Sequence, residues 1–220
     1  MENDIIHVYF MPGMAANPSI FENIKLPEYQ FKMHLLEWII PVENETLQDY
    51  AKRIITKIEH QNPVLIGVSF GGILVQEISK LIECKKVIVI SSVKSKHELP
   101  KRLKVLKVTN AYKILPTQLI ANIDHLSKFV FGKTINKRIE LYQKYLSVRD
   151  KSYLDWAIKQ IIFWDQESPD PKTIYIQGDH DMVFPHTCQG NCIVVKGGTH
   201  IMIINKFKWF NEHLPKLILN

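Results

Sequence analysis

Three short stretches carry the residues best suited to chemistry: Gly67-Val68-Ser69-Phe70-Gly71-Gly72, Gly178-Asp179-His180-Asp181 and Gly197-Gly198-Thr199-His200. A hydroxyl, an imidazole and a carboxylate are the parts of an acyl-transfer relay. The hydroxyl attacks a carbonyl, the imidazole takes its proton, and the carboxylate holds the imidazole in place. Around Ser69 the pattern is G-x-S-x-G. A serine on a sharp strand-to-helix turn needs neighbours without Cβ atoms, because the two backbones almost touch there; Gly67 and Gly71 meet that need. The N–H of Phe70 then falls at the start of a helix, where positive dipole density favours an oxyanion. With Gly and Ser each near ~7% of residues, the pattern arises by chance in roughly one chain in fourteen of this length. The motif therefore needs its context.

Strands and helices alternate through the first 92 residues. Ile5–Phe10 is an apolar run ended by Pro12-Gly13, and Gln30–Leu36 is a weaker second strand. From Thr46 to His60, Leu47, Tyr50, Ala51, Ile54, Ile55 and Ile58 recur at helical spacing, with Asn44 or Thr46 as a cap. Pro63–Val68 reads as a third strand, Gly72–Glu83 as a helix and Lys86–Ser91 as a fourth strand. Strands apolar on both faces and separated by helices imply a parallel sheet covered on both sides. From about Ser95 to Ser168 only helical periodicity remains. Strand patterning returns at Thr173–Gln177 and Cys192–Val195, and a last helix runs from about Ile201 to His213, ended by Pro215. The expected fold class is α/β: a mostly parallel central sheet with helices on both faces, plus a helical cap insertion. The core spans residues 1–94 and 169–220, and the cap 95–168.

In a parallel sheet the strand C-termini share one edge, where ligands bind. Ser69, Asp181 and His200 all follow strand ends, so they are expected to meet there. Their order along the chain, their strand-end positions and the turn at Ser69 resemble the α/β-hydrolase superfamily, and the resemblance covers nearly the whole chain. It implies Ser69 as nucleophile, His200 as base and Asp181 as the orienting acid, three residues after Gly178 and just before Val183-Phe184-Pro185. Asp179 is the alternative acid. It also implies an oxyanion hole from the backbone N–H groups of Phe70 and Met14. The loop Phe10-Met11-Pro12-Gly13-Met14-Ala15-Ala16-Asn17 has Pro12 where the family usually has His. The usual leading antiparallel hairpin is not expected. The implied reaction is hydrolysis of a small or medium carboxylic ester. The alternatives are a thioester on an anionic carrier, or ligand binding without hydrolysis. No cofactor is expected. Trp156 and Trp164, in the insertion, are the expected substrate-binding residues, within a set of aromatics that includes Tyr112, Phe129, Phe131, Tyr142, Tyr145, Tyr153 and Phe163.

Composition narrows the rest. The chain has 28 Lys and Arg against 22 Asp and Glu, a net charge of +6, and much of that excess lies in one run: Lys94, Lys96, Lys101, Arg102, Lys104 and Lys107. Interleaved with Leu99, Leu103, Val105 and Leu106, it suits a helix with one solvated face. No aromatic-rich basic ribbon accompanies it, so no nucleic-acid partner is expected; a small-molecule ester is. The start, Met1-Glu2-Asn3-Asp4, lacks a signal peptide's positive region, and no apolar run is long enough for a membrane span. Cys84, Cys188 and Cys192 form no disulfide framework or zinc pattern. Cytoplasmic is the default expectation. A metal reading of Asp179, His180, Asp181, His186 and His200 lacks ligand spacing, so no metal site is assigned. His7, His34, His60, His97, His125, His180, His186 and His213 read as ordinary surface or core residues.

Overall fold

The structure, a computed structural model, describes residues 5–109, 144–185 and 192–220. Tyr112, Phe129, Phe131, Tyr142 and much of the expected cap lie outside these residues. The elements in chain order are β1 (Ile6–Met11), β2 (Phe31–Leu35), α1 (Leu47–Ile55), β3 (Val64–Val68), α2 (Phe70–Ser79), β4 (Lys86–Ile90) and α3 (Lys101–Thr109). They continue with α4 (Lys151–Phe163), β5 (Ile174–Gly178), β6 (Cys192–Val195), α5 (Met202–Asn205) and α6 (Phe207–Leu219). The strands form one six-stranded sheet in the order β2-β1-β3-β4-β5-β6. Every pairing among the described residues is parallel.

The sheet separates two cores by simple alternation of side chains. Tyr9, Met11, Leu65, Val87, Val89 and Tyr175 face one core, with the apolar sides of α1, α2 and α4. Val8, Phe10, Val64, Ile66, Ile88, Ile90 and Ile176 face the other, with Ile20, Phe21, Met202, Phe210 and Leu214. The handedness of parallel crossovers explains this division. From β2 onward the chain steps across the sheet in one direction, so right-handed connections put α1, α2 and α4 on one face. The step from β1 to β2 goes the other way, and its connection packs on the opposite face. The reversal leaves a crevice where the loops after β1 and β3 diverge, the topological switch point. Both the Pro12–Asn17 loop and Ser69 stand there.

Local chemistry sets the helix starts. Thr46 caps α1 by accepting from the Asp49 N–H at 3.1 Å, and its hydroxyl donates to the Asp49 carboxylate at 2.7 Å. Asp150 caps α4 by accepting from the Tyr153 N–H at 2.9 Å.

The fold departs from sequence expectation at two places. Pro215 does not end the last helix but lies inside α6, which follows a break at Lys206. Leu214 and Ile218, both buried, flank it, and their packing offsets the backbone bond that proline removes. Cys192 is disulfide-bonded, against the expectation of no disulfide. The segment expected as a cap, 95–168, is described only in part. Its described ends differ: α3 buries no residue, whereas α4 buries Tyr153, Leu154, Trp156, Ala157, Ile158, Ile161 and Ile162. The physical reason is topological. β4 and β5 are adjacent and parallel, so the chain between them must return to the start edge of the sheet. A parallel crossover is normally covered by a helix, and α4 is that helix.

Candidate active site

Ser69 joins β3 to α2 with φ 54° and ψ −120°, a left-handed backbone that a non-glycine residue adopts only when its surroundings enforce it. The enforcement is visible. The Ser69 N–H donates to Ile90 O at 2.9 Å, and its carbonyl accepts from Gly72 N at 2.9 Å and the Ser92 hydroxyl at 2.7 Å. A Cβ on Gly67 would overlap the backbone of Gly71, and one on Gly71 would overlap the carbonyls of Met11 and Pro12. Both glycines are therefore required by close backbone approach.

Asp181 follows β5 and is almost fully buried, at 5% exposure. Its Oδ1 accepts from the N–H groups of Val183 (2.8 Å) and Phe184 (3.0 Å), and its Oδ2 from Gln177 Nε2 (3.1 Å). Gln177 is itself held by donating to Phe184 O at 2.7 Å. With three donors aimed at it, the carboxylate keeps one orientation. His200 enters from the loop after β6. Its Nδ1 lies 2.9 Å from Asp181 Oδ2 and its Nε2 lies 2.9 Å from Ser69 Oγ. The edge of the Phe184 ring packs against the imidazole, with centroids 5.6 Å apart.

The three side chains thus form a continuous hydrogen-bonded line across elements 131 residues apart in sequence. Asp179, the alternative acid, does something else: it accepts from Gly197 N at 2.6 Å and so braces the loop that carries His200. The same two loops are tied by His180 N donating to Gly198 O at 2.9 Å.

On the opposite side of Ser69 lies the Pro12–Asn17 loop. A Cβ built on Gly13 would stand 3.3 Å from Ser69 Cβ, so this loop closes directly on the serine. The Gly13 carbonyl accepts from Trp38 Nε1 at 2.8 Å and from Ala16 N at 3.1 Å. All described peptides are trans, so the Met14 N–H points away from the direction of the Gly13 carbonyl. Neither Met14 N nor Phe70 N has a hydrogen-bond partner among the described residues. The Trp38 ring also stacks on the Phe70 ring, with centroids 4.9 Å apart and planes 6° from parallel. One indole therefore holds both the Gly13 carbonyl, in the loop that closes on Ser69, and the Phe70 ring. Beneath the loop, Ala15 N donates to the Tyr153 hydroxyl at 3.4 Å, and burial pushes that phenol well above its ordinary pKa.

Trp156 and Trp164, expected to line a substrate pocket, are placed in the core. Trp156 donates to Glu45 O at 2.8 Å and packs on Tyr50 and Phe70. Trp164 donates to Glu77 Oε1 at 2.8 Å. Their ring N–H groups fasten α4 to the segment before α1 and the end of α4 to α2. Sequence reasoning missed Trp38, Gln177 and Ser92. The first signal available for Trp38 was a large aromatic just after a strand end; nothing marked the other two.

Solved structures of similar fold agree with this architecture. The esterase EaEST from Exiguobacterium antarcticum is 18% identical with a TM-score of 0.72, over 98% of this chain and 92% of that one. The enol-lactonase from Burkholderia xenovorans LB400 is 12% identical with a TM-score of 0.74, over 99% of this chain and 92% of that one. A bromoperoxidase from Bacillus anthracis is 18% identical with a TM-score of 0.66, over 99% of this chain and 93% of that one. The fold is that of the α/β-hydrolases. No curated protein sequence matches this chain. Among the described residues no helix is long and apolar enough to cross a membrane. A family model does match residues 25–162, a span that holds the Ser69 turn, Trp38 and most of α4, and on that match the chain belongs to the uncharacterised protein family UPF0227.

Proposed function

We propose that the protein is a serine hydrolase that cleaves a small or medium carboxylic ester through an acyl-enzyme. The observation that carries this reading is the unbroken line from Ser69 Oγ through His200 to Asp181, at 2.9 Å for each step. His200 Nε2 takes the hydroxyl proton as Ser69 Oγ attacks the carbonyl carbon. The negative charge that develops on the carbonyl oxygen is met by the amides of Phe70 and Met14. The imidazolium then gives its proton to the departing alcohol, and a water activated by the same imidazole releases the acid. Asp181 keeps Nδ1 protonated throughout, so that Nε2 presents its lone pair to the serine. Each step is supplied by side chains and amides of this chain.

The thioester reading rested on the basic run, and its charges are largely engaged locally. Lys94 pairs with Glu98, Arg102 donates to Val183 O, Lys104 donates to His97 O, and Lys107 lies over the Phe163 ring. An ester is therefore the better-supported substrate. We also propose a helical cap within residues 95–168, a segment in which α4 serves the sheet crossover.

Labelling with a fluorophosphonate probe and peptide mapping tests the reading. The expected result is a single adduct on Ser69, and a loss of at least about 10³-fold in aryl-ester turnover in Ser69→Ala with folding intact. An adduct elsewhere, or an unlabelled protein with a well-folded core, overturns it in favour of ligand binding without hydrolysis.

A further inference from the structure

A second constellation lies on the β1–β2 side of the sheet, toward the start of β1 and so away from the edge that carries Ser69. His7 and Tyr9 alternate along β1 on one face, and His34 of β2 is registered opposite Tyr9. The connection from α1 to β3 brings His60 over the same face. His7 Nδ1 and His34 Nε2 are 2.9 Å apart, and Tyr9 Oη is 2.6 Å from His60 Nδ1. One nitrogen from each imidazole can be chosen so that all three lie within 4.8 Å of one another, and all three residues are half-buried.

We propose that His7, His34 and His60 bind a divalent transition-metal ion of the zinc type. The donor set dictates the class: three imidazole nitrogens and no carboxylate suit Zn²⁺, Cu²⁺ or Ni²⁺, and not Mg²⁺ or Ca²⁺. The imidazoles must be neutral to ligate. Burial, the neighbouring His60 and Lys32 hold His7 below its ordinary pKa, and burial together with His60, His7 and Lys32 does the same for His34. Crowded imidazoles repel one another when protonated, whereas a cation draws their lone pairs together. Zinc–nitrogen bonds of about 2.0–2.1 Å in a tetrahedron put ligand nitrogens about 3.3 Å apart. The His7–His34 pair is within a few tenths of an ångström of that.

His60 is the ligand that moves. Its ring stacks on His7, with centroids 3.4 Å apart and planes 12° from parallel, so it turns out of the stack to aim a nitrogen at the ion. It can do so because it belongs to a connection rather than a strand or helix. The Tyr9 oxygen beside Nδ1 fits the usual second contact of a metal-bound histidine, accepting from Nδ1–H and leaving Nε2 for the metal. Three protein ligands leave a fourth tetrahedral position for water. The ion would tie β1, β2 and the α1–β3 connection together, stabilising the folded chain by mass action. This site is independent of the hydrolase reading. No sequence motif announces it, because positions 7, 34 and 60 meet only through strand pairing.

Calorimetric titration of the untagged full chain with Zn²⁺ tests the proposal. The expected result is one equivalent bound with a micromolar or tighter Kd, and a Tm raised by about 5 °C at a hundredfold excess over Kd. His34→Ala and His60→Gln should each weaken binding at least about 10-fold, while His213→Ala on α6 leaves it unchanged. His60→Gln lies outside the sheet and keeps the test alive should His34→Ala fail to fold. Titration with Co²⁺ should give the visible absorption of a nitrogen-ligated ion in the wild type, lost in His60→Gln. Absence of saturable binding, or binding that survives both substitutions, overturns the site.

Discussion

The turn at Ser69 is marked in the sequence by a short glycine-bounded motif and the stretch between β4 and β5 by helical periodicity, and the structure treats the two differently. Around Ser69 the backbone has no freedom. Positive φ, two glycines in backbone contact and a serine amide and carbonyl held by β4, α2 and Ser92 leave one arrangement. Between β4 and β5, where the sequence shows uniform helical periodicity, the α-helices α3 and α4 among the described residues have opposite character. In α3 no side chain is buried; α4 is wedged into the core beside Trp38, Tyr50 and Phe70. The lesson is that sterically forced turns announce themselves locally. The role of a helix is decided by what the sheet topology requires of it.

Substitutions can break that comparison, beginning where the largest effect is expected. Asp181→Asn should lower ester turnover by up to about 10⁴-fold, because the imidazole would hold the wrong tautomer. Asp179→Asn should lower it far less, since Asp179 braces the Gly197 amide rather than the imidazole. Steady-state kinetics on one aryl ester ranks the two, and the reverse order would return the acid to Asp179.

Next comes Trp156→Ala in α4. Removing a buried indole that also satisfies Glu45 O should destabilise the fold by about 3–5 kcal/mol, measured by urea unfolding. Lys101→Gln, on exposed α3, should stay within about 0.5 kcal/mol of wild type. Equal effects would mean that α3 and α4 are not the distinct helices that the burial pattern describes. Chain-length selectivity should be insensitive to Trp156, a result that separates packing from pocket lining.

A smaller effect is expected at Trp38. Trp38→Phe keeps a ring against Phe70 but removes the donor to Gly13 O, freeing the peptide that carries the Met14 amide. Turnover should fall about 10-fold with KM little changed, as suits a contact that acts through transition-state stabilisation. A change confined to KM would show that the peptide orientation matters for binding alone.

Much of the core was legible because its signals are local. Short continuous apolar runs marked β1, β3 and β4, the spacing of Leu47, Tyr50, Ala51 and Ile54 marked α1, and the Gly67-x-Ser69-x-Gly71 turn marked the nucleophile position. Helix ends were less legible: Pro215 reads as a stop, but burial of Leu214 and Ile218 carries α6 through it.

By itself the sequence determined the chain order Ser69, Asp181, His200, their places after strands, and the need for glycine beside the serine. These follow from backbone sterics and side-chain periodicity, which act over a few residues. Only the tertiary structure decided that Asp181 rather than Asp179 faces His200, that Trp38 anchors the loop over Ser69, that α4 is a crossover helix, and that His7, His34 and His60 share one face. Those outcomes depend on strand order and register, which bring distant residues within hydrogen-bonding reach, and no short-range pattern records that order.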